Sequence, residues 1–241
     1  MFGQNPIRKY ESHRGGQELQ TREIFYTLQG EGPYSGRPSV FVRLTGCNLR
    51  CHFCDTKWDD DNDKNMLIGD IMEEVERLSE NGRLTKLVVL TGGEPLRQDI
   101  DLLLMFLIGI LGYTVQIETA GTLWQQCLND YDSKELTVIV SPKTPRIDPI
   151  LFERADAFKY VIRAEDVQGD ITGVPYTNTQ SKGEFRAVPL AEPRPGAPVY
   201  LSPCDEYNDD KNAANYQRVG VLAMKHGYIA GVQLHKLLAL P

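Results

Sequence analysis

The chain has 241 residues, 41% of them hydrophobic, enough for one globular domain with a sizeable core and the size that single α/β barrels commonly reach. A formal net charge of −7 argues against a general affinity for nucleic acid, which rests on cationic contacts to phosphate. The longest apolar run, Leu102 to Leu111, is ten residues including Gly109, too short to span a bilayer, so no membrane association is expected.

Residues 1 to about 21 are polar and Gly-rich with no hydrophobic signal core, and are expected to be a loose, flexible N-terminal segment before a single domain over 22–241. A cytoplasmic protein follows, in a compartment where thiols stay reduced. Glu23–Gln29 leads through the turn-rich GEGPYSGRP into a strand at Ser39–Leu44. A cysteine-bearing loop comes next and ends in the acidic run WDDDNDKN, which reads as a solvated loop. Ile68, Ile71, Met72, Val75 and Leu78 recur at helical spacing and predict an amphipathic helix from Gly69 to about Asn81. Beyond it the pattern alternates: strand Lys86–Leu90, helix Ile100–Leu111, strand Thr114–Ile117, helix Leu123–Leu128, strands Leu136–Val140 and Ala157–Ile162. Residues 164–198 break the rhythm and read as a long loop. Strand Val199–Leu201, helix Asn212–His226 and a last strand Ile229–Leu234 follow. Such alternation makes a parallel sheet with right-handed crossovers. About six parallel strands are too few for eight β/α units, so the expected fold is α/β, an incomplete TIM-like barrel.

The run GCNLRCHFCDT places Cys47, Cys51 and Cys54 in a C-x3-C-x2-C spacing directly after the strand ending at Leu44. Three thiolates on one loop can hold three irons of a 4Fe-4S cluster and leave the fourth iron open to a ligand. Structural zinc wants four ligands, usually as two close pairs. Here the fourth would have to be His52, Cys127 or Cys204, and no second C-x2-C exists. A zinc-stabilised binding module is the alternative from another class. Five cysteines, an odd number, make a poor disulfide framework, and Cys127 and Cys204 read as buried structural thiols.

In parallel barrels the chemistry sits where strands exit at their carboxyl ends. These exits read TGCNLRC, TGGEP (91–95), ETAGT (118–122), SPK (141–143), SPCD (202–205) and QLHK (233–236), each small, polar or ionisable. Any one of them is most simply a turn; six around one sheet converge on a single mouth that also carries the cysteines.

At these residues the chain resembles the radical S-adenosylmethionine (SAM) superfamily: Cys47, Cys51 and Cys54 match its cluster signature and Thr91–Pro95 resembles its GGEP motif. That resemblance implies that the open iron takes the amino and carboxylate groups of S-adenosyl-L-methionine, and that an electron then splits the sulfonium to give methionine and a 5′-deoxyadenosyl radical. Gly92 and Gly93, lacking side chains, would let backbone approach the methionine ammonium. Glu94 either assists or caps the next turn; Ser141 and Lys143 would also contact SAM.

More closely, TLQGEG (27–32), GRP (36–38), GCNLRCHFCDT, ETAGT, SPK and the terminal QLHKLLALP are similar, in the same order, to the 7-carboxy-7-deazaguanine synthases. This implies conversion of 6-carboxy-5,6,7,8-tetrahydropterin to 7-carboxy-7-deazaguanine with loss of ammonia, in queuosine-type biosynthesis. It further implies Mg²⁺, a homodimer, and flavodoxin or ferredoxin as reductant. A carboxylate suits the amino-pyrimidinone edge of a pterin, because it accepts two parallel hydrogen bonds. Glu31 is the candidate, with Gln29 beside it; without the resemblance Glu31 reads as a surface turn residue. Arg43, on an otherwise apolar strand, is either structural or a substrate contact, and the resemblance favours the substrate. Thr119, His235 and the carboxylate of Pro241 would complete the pocket, although a lone histidine is more often structural. Thr56 matches the family's Mg²⁺-bound hydroxyl, with Asp55 a supporting carboxylate. A glycyl-radical-enzyme activating enzyme is the rival within the superfamily; the TLQGEG loop and the SPK and LHK exits argue against it. Where many relatives carry Gln-Pro, this chain has Ser202-Pro203, so no cofactor contact is assigned there.

Overall fold

The computed structural model describes residues 5–54, 56, 62–166, 172–176, 179–180 and 189–240. Nine strands form one sheet: β1 (Glu18–Leu28), β2 (Pro38–Leu44), β3 (Lys64–Leu67), β4 (Leu87–Gly92), β5 (Thr114–Thr119), β6 (Leu136–Val140), β7 (Ala157–Ile162), β8 (Val199–Pro203) and β9 (Ile229–Ala230). Their order is β3-β1-β2-β4-β5-β6-β7-β8-β9. From β2 to β9 every pairing is parallel, while β1 pairs antiparallel with both β2 and β3. The sheet is therefore open, with seven parallel strands where about six were expected and an antiparallel pair added on one side. Leu87–Leu90 of β4 and all of β6 are buried, because parallel strands are covered on both faces.

The helices carry the sheet's outer cover. Helix α1 (Ile68–Ser79) buries Ile68, Ile71 and Val75 and ends at Glu80 in the left-handed region. Helix α2 (Asp101–Leu104) continues as wider turns over Met105–Ile110, and the chain reverses at Gly112, φ 65°. Helix α3 (Pro149–Arg154) is capped by Asp148, whose Oδ1 accepts from the Ile150 and Leu151 amides at 2.8 and 3.1 Å. Helix α4 (Asp209–His226) begins on Asn208, which accepts from Lys211 N at 3.0 Å, and stops at Gly227, φ 71°. A last turn, α5 (Leu234–Leu237), follows β9.

Three departures from the sequence pattern shape the site. The expected helix Leu123–Leu128 is only a 3-10 turn over Gln126–Asn129, because Gln125 is extended and its amide is spent on tertiary bonds. Its Nε2 donates to Leu96 O (3.0 Å) and Gln98 O (2.6 Å), and its Oε1 accepts from Ile100 N (3.2 Å). The expected strand Ile229–Leu234 stops at Ala230: Gly231 N still reaches Leu201 O at 2.7 Å, but Gln233 turns left-handed, φ 45°, and opens α5. The acidic run hides β3, which starts at Lys64. In 164–198 the described residues form no helix and no strand longer than an isolated bridge, as expected.

The N-terminal stretch is structured from further back than expected. β1 begins at Glu18, and Arg8 N donates to Cys47 O at 2.8 Å. Arg97, fully buried, ties this stretch to the cysteine loop: its guanidinium donates to Lys9 O (3.2 Å), Gln20 Oε1 (2.8 Å) and Thr45 O (3.2 Å) and pairs with Glu11 at 3.0 Å.

The β2 and β4 exits pack backbone on backbone. A Cβ at Gly92, φ 142°, would lie 1.9 Å from Leu44 O, and one at Gly93 would lie 2.1 Å from Gly46 O. Two bonds fasten the contact, Gly93 N to Leu44 O (3.2 Å) and Glu94 N to Gly46 O (3.0 Å). Gly92→Ala is therefore expected to lower stability by about 2–4 kcal/mol, from overpacking plus a left-handed strain. Gly220→Ala, inside α4 with open space around the missing Cβ, is expected to raise it by about 0.5–1 kcal/mol. Urea unfolding followed by circular dichroism measures both.

Candidate active site

The strand exits enclose one cavity of about 530 Å³, within the range of roughly 300–1,000 Å³ typical of ligand sites. Cys47, Cys51 and Cys54, all half-buried, form one part of its wall. Each sulfur accepts hydrogen bonds from the protein. Leu49 N lies 3.4 Å from Cys47 Sγ, Asn5 Nδ2 3.5 Å from Cys54 Sγ, and Gln180 Nε2 3.1 Å from Cys51 Sγ. Burial, with Glu94 adding its charge, pushes the Cys47 thiol up to about 12. Among the described residues no three His, Cys, Asp or Glu side chains group as they would around a single bound ion. Three thiolates from one loop are the protein ligands that a 4Fe-4S cluster with one iron left open would take.

The opposite wall is ionic. Lys159 on β7, buried, places Nζ 2.5 Å from Glu31 Oε2 and 3.4 Å from Glu118 Oε2. Glu31 Oε1 accepts from Gln233 Nε2 at 3.1 Å. Gln29 joins the two acids: its Nε2 donates to Glu118 Oε1 (3.2 Å) and its Oε1 accepts from Glu31 N (3.1 Å). Burial opposes ionisation of Glu31, but Lys159 and Gln233 outweigh it and hold the carboxyl well below its ordinary range. Burial likewise opposes the charge on Lys159, and Glu118 with Glu31 reverses that and pushes its pKa up.

The other residues expected from sequence fall as follows. Arg43 lines the cavity and also pairs with Glu23, its neighbour across β1 and β2, at 3.1 Å. His235 lines the cavity with its ring pressed against Gly30, and burial lowers its pKa. Ser141 and Lys143 line it too. Lys143 Nζ donates to Ser141 O (2.9 Å) and Oγ (2.5 Å), and burial pushes its pKa down to about 8. Thr56 lines the cavity, and its carbonyl accepts from Asn5 Nδ2 at 2.7 Å. Pro241 and Asp55 lie outside the described residues.

The glycine pair and Glu94 also hold the strand exits together. Gly92 and Gly93 reach the cavity, and the space freed by their missing side chains is filled by the backbone of Leu44 and Gly46. Glu94 is a cap. Its fully buried carboxylate accepts from Leu96 N (3.1 Å), Thr119 Oγ1 (2.7 Å) and Ala120 N (2.8 Å), which leaves its side chain no face toward a cofactor. Thr119, on the cavity wall, spends its hydroxyl proton on that cap.

Sequence reasoning missed Lys159, Glu118, Gln233, Asn5 and Gln180. Lys159 carried the signal used for Arg43, one cation in an apolar strand (AFKYVI), and Glu118 opens the ETAGT exit. Asn5 and Gln180 lie in stretches read as loose and carried none.

The family model described as "Radical SAM superfamily" matches residues 41–159. The chain is 43% identical over 243 residues to 7-carboxy-7-deazaguanine synthase of Rhodospirillum rubrum, covering 99% of each chain. It is 35% identical over 244 residues to the synthase of Rickettsia prowazekii, covering 100% of this chain and 96% of that one. The crystal structure of QueE from Escherichia coli shares the fold, with TM-score 0.63 and 23% identity over 91% of this chain and 95% of that one. Full-length identity at this level, together with the cysteine loop, shows that the chain belongs to the 7-carboxy-7-deazaguanine synthase family of radical SAM lyases.

Proposed function

We propose that this chain converts 6-carboxy-5,6,7,8-tetrahydropterin to 7-carboxy-7-deazaguanine with loss of ammonia, a step toward queuosine-type nucleosides. The observation that carries this reading is that one cavity joins the three cysteines to a half-buried carboxylate, Glu31, paired with the buried Lys159. Cys47, Cys51 and Cys54 would hold a 4Fe-4S cluster, and Ser141, Lys143 and the backbone at Gly92 and Gly93 would seat S-adenosylmethionine. When bound, this pair supplies one-electron cleavage of a carbon–sulfur bond and removal of a hydrogen atom from the pterin. The chain's own residues orient and shield. Glu31 accepts from the N3–H and 2-amino groups of the pterin edge, an arrangement kept ready by Lys159 and Gln233. Arg43 and His235 would meet the substrate from β2 and α5. Thr119 positions it through the β5 exit. Phe25, Phe41 and Phe53 line the same space and exclude water.

Mg²⁺ would take the Thr56 hydroxyl and substrate oxygens, keeping the rest of its shell as water. Flavodoxin or ferredoxin would feed the cluster, in a homodimer working in the cytoplasm. No helix among the described residues is long and apolar enough to cross a membrane.

Anaerobic incubation of the reconstituted protein with the carboxytetrahydropterin, S-adenosylmethionine and dithionite is expected to yield 7-carboxy-7-deazaguanine by mass spectrometry. An untouched pterin would overturn the reading. Cys47→Ala is expected to abolish turnover, and retained activity would refute the cluster assignment.

Glu31→Gln is expected to raise the pterin KM roughly 10- to 100-fold, since the carboxylate that accepts both donors is lost. The sign of the pH dependence follows from the two shifts. Glu31 has a depressed folded pKa, so its charge is lost only as pH falls through that value; Lys159 has a raised one, so its charge is lost only as pH rises far above neutrality. The Glu31–Lys159 pair should therefore add no pH dependence to the pterin KM between about pH 6 and pH 8, and steady-state kinetics of wild type against Glu31→Gln across that range test it.

A further inference from the structure

The ammonium of Lys159 has three N–H donors. Two of them go to Glu31 Oε2 and Glu118 Oε2, and among the described residues no third acceptor lies within hydrogen-bond distance. Lys159 and Glu31 both line the cavity. Read along that wall, the pair offers a donor at Lys159 Nζ followed by two acceptors at Glu31 Oε2 and Oε1. The edge of a 2-amino-4-oxo pyrimidine ring offers the complement: an acceptor at O4, then donors at N3–H and the 2-amino group. A carboxylate alone reads only the two donors and is indifferent to what stands at position 4.

We propose that Lys159 is a specificity-determining residue of this site, whose remaining N–H donates to the 4-oxo group of the ring that Glu31 accepts. The inference rests on the assignment of Glu31 to the pterin edge, and adds to it the group that reads the third position. Its position leaves little freedom for any other role. The ammonium is anchored from β5 by Glu118 and from the β1–β2 loop by Glu31, and Gln29 holds both acids, so the donor stays in place before the ring arrives. The other cations on the wall are placed differently. Arg43 pairs with Glu23, Lys236 pairs with Asp205 at 2.7 Å, and Lys143 donates to Ser141 at the β6 exit. A ring with a poor acceptor at position 4 leaves the buried N–H unsatisfied, which is how a polar site rejects a near-isostere.

The test compares two inert ligands, pterin-6-carboxylate and its 4-thioxo analogue, which keeps N3–H and the 2-amino group but replaces O4 with a weak acceptor. Dissociation constants are measured by calorimetry on the reconstituted holoenzyme with S-adenosylmethionine present. Wild type is expected to bind the oxo compound at least about tenfold tighter, the scale of one hydrogen bond to a charged group. In Lys159→Met the preference should fall to within about twofold, because the oxo compound loses its donor while the thioxo compound had little to lose. Should the lone variant fail to fold, Glu118→Gln/Lys159→Met, which leaves a single carboxylate and no extra buried charge, answers the same question. A variant that keeps the wild-type preference, or weakens both ligands equally, overturns the proposal. Failure of wild type to bind either compound would instead overturn the pterin reading, and the role of Lys159 with it.

Discussion

The carbonyl oxygens of Leu44 and Gly46 occupy the space that side chains at positions 92 and 93 would need, and the site is arranged around that contact. A parallel sheet sets neighbouring strands about 4.8 Å apart, but where they end the chain is free to splay. Here the two exits stay together, because glycines let backbone meet backbone and two amides bond across. Glu94 then carries the restraint to the next exit, since its carboxylate holds Thr119 and Ala120 after β5. Arg97, just beyond, fixes Thr45 from the other side. The cysteine loop thus leaves the sheet from a rigid base, although the loop itself has little regular structure.

The far wall follows a different logic. Two half-buried carboxylates, Glu31 and Glu118, share the single ammonium of Lys159, at the cost of desolvating three charges. Such a group is a weak source of stability. Its value is geometric: acids held in place, with Gln29 and Gln233 supplying further bonds. Replacing the three with apolar residues would give a better core and no means of reading a polar ring.

The sequence made the sheet legible for a simple reason. Runs such as LVVL and LTVIV can be buried on both faces only in a parallel sheet, and their spacing left room for crossovers. The cysteines and the exit motifs were legible as well, because ligand spacing is a local property. What escaped was set by tertiary partners. Gln125 resists its helical surroundings because its amide serves three backbone groups on the far side of a loop. The last strand stops where Gln233 turns toward Glu31, two hundred residues earlier in the chain. Glu94 looked like a ligand because of its motif, yet its partners are a threonine and two amides. Lys159 was readable by the reasoning applied to Arg43, and only its two acids, distant in sequence, disclose its importance.

The dependence of the cysteine loop on remote segments has a consequence for how the cluster is held. Between Leu44 and Cys54 the backbone makes few bonds of its own; Cys54 N to Cys51 O is the local one, at 3.2 Å. The remaining restraints arrive from elsewhere: Arg8 N on Cys47 O, Thr179 O on His52 N, Asn5 on Cys54 Sγ and Gln180 on Cys51 Sγ. Thr179 is in turn anchored by its hydroxyl to Lys143 O at 2.6 Å, at the β6 exit. Asn5 and Gln180 donate to sulfurs, and N–H groups aimed at thiolates stabilise their negative charge and would tune a bound cluster's potential. The three cysteines therefore specify which metal centre can bind. How strongly it is held and at what potential it works would depend also on two chain segments that carry no cysteine at all.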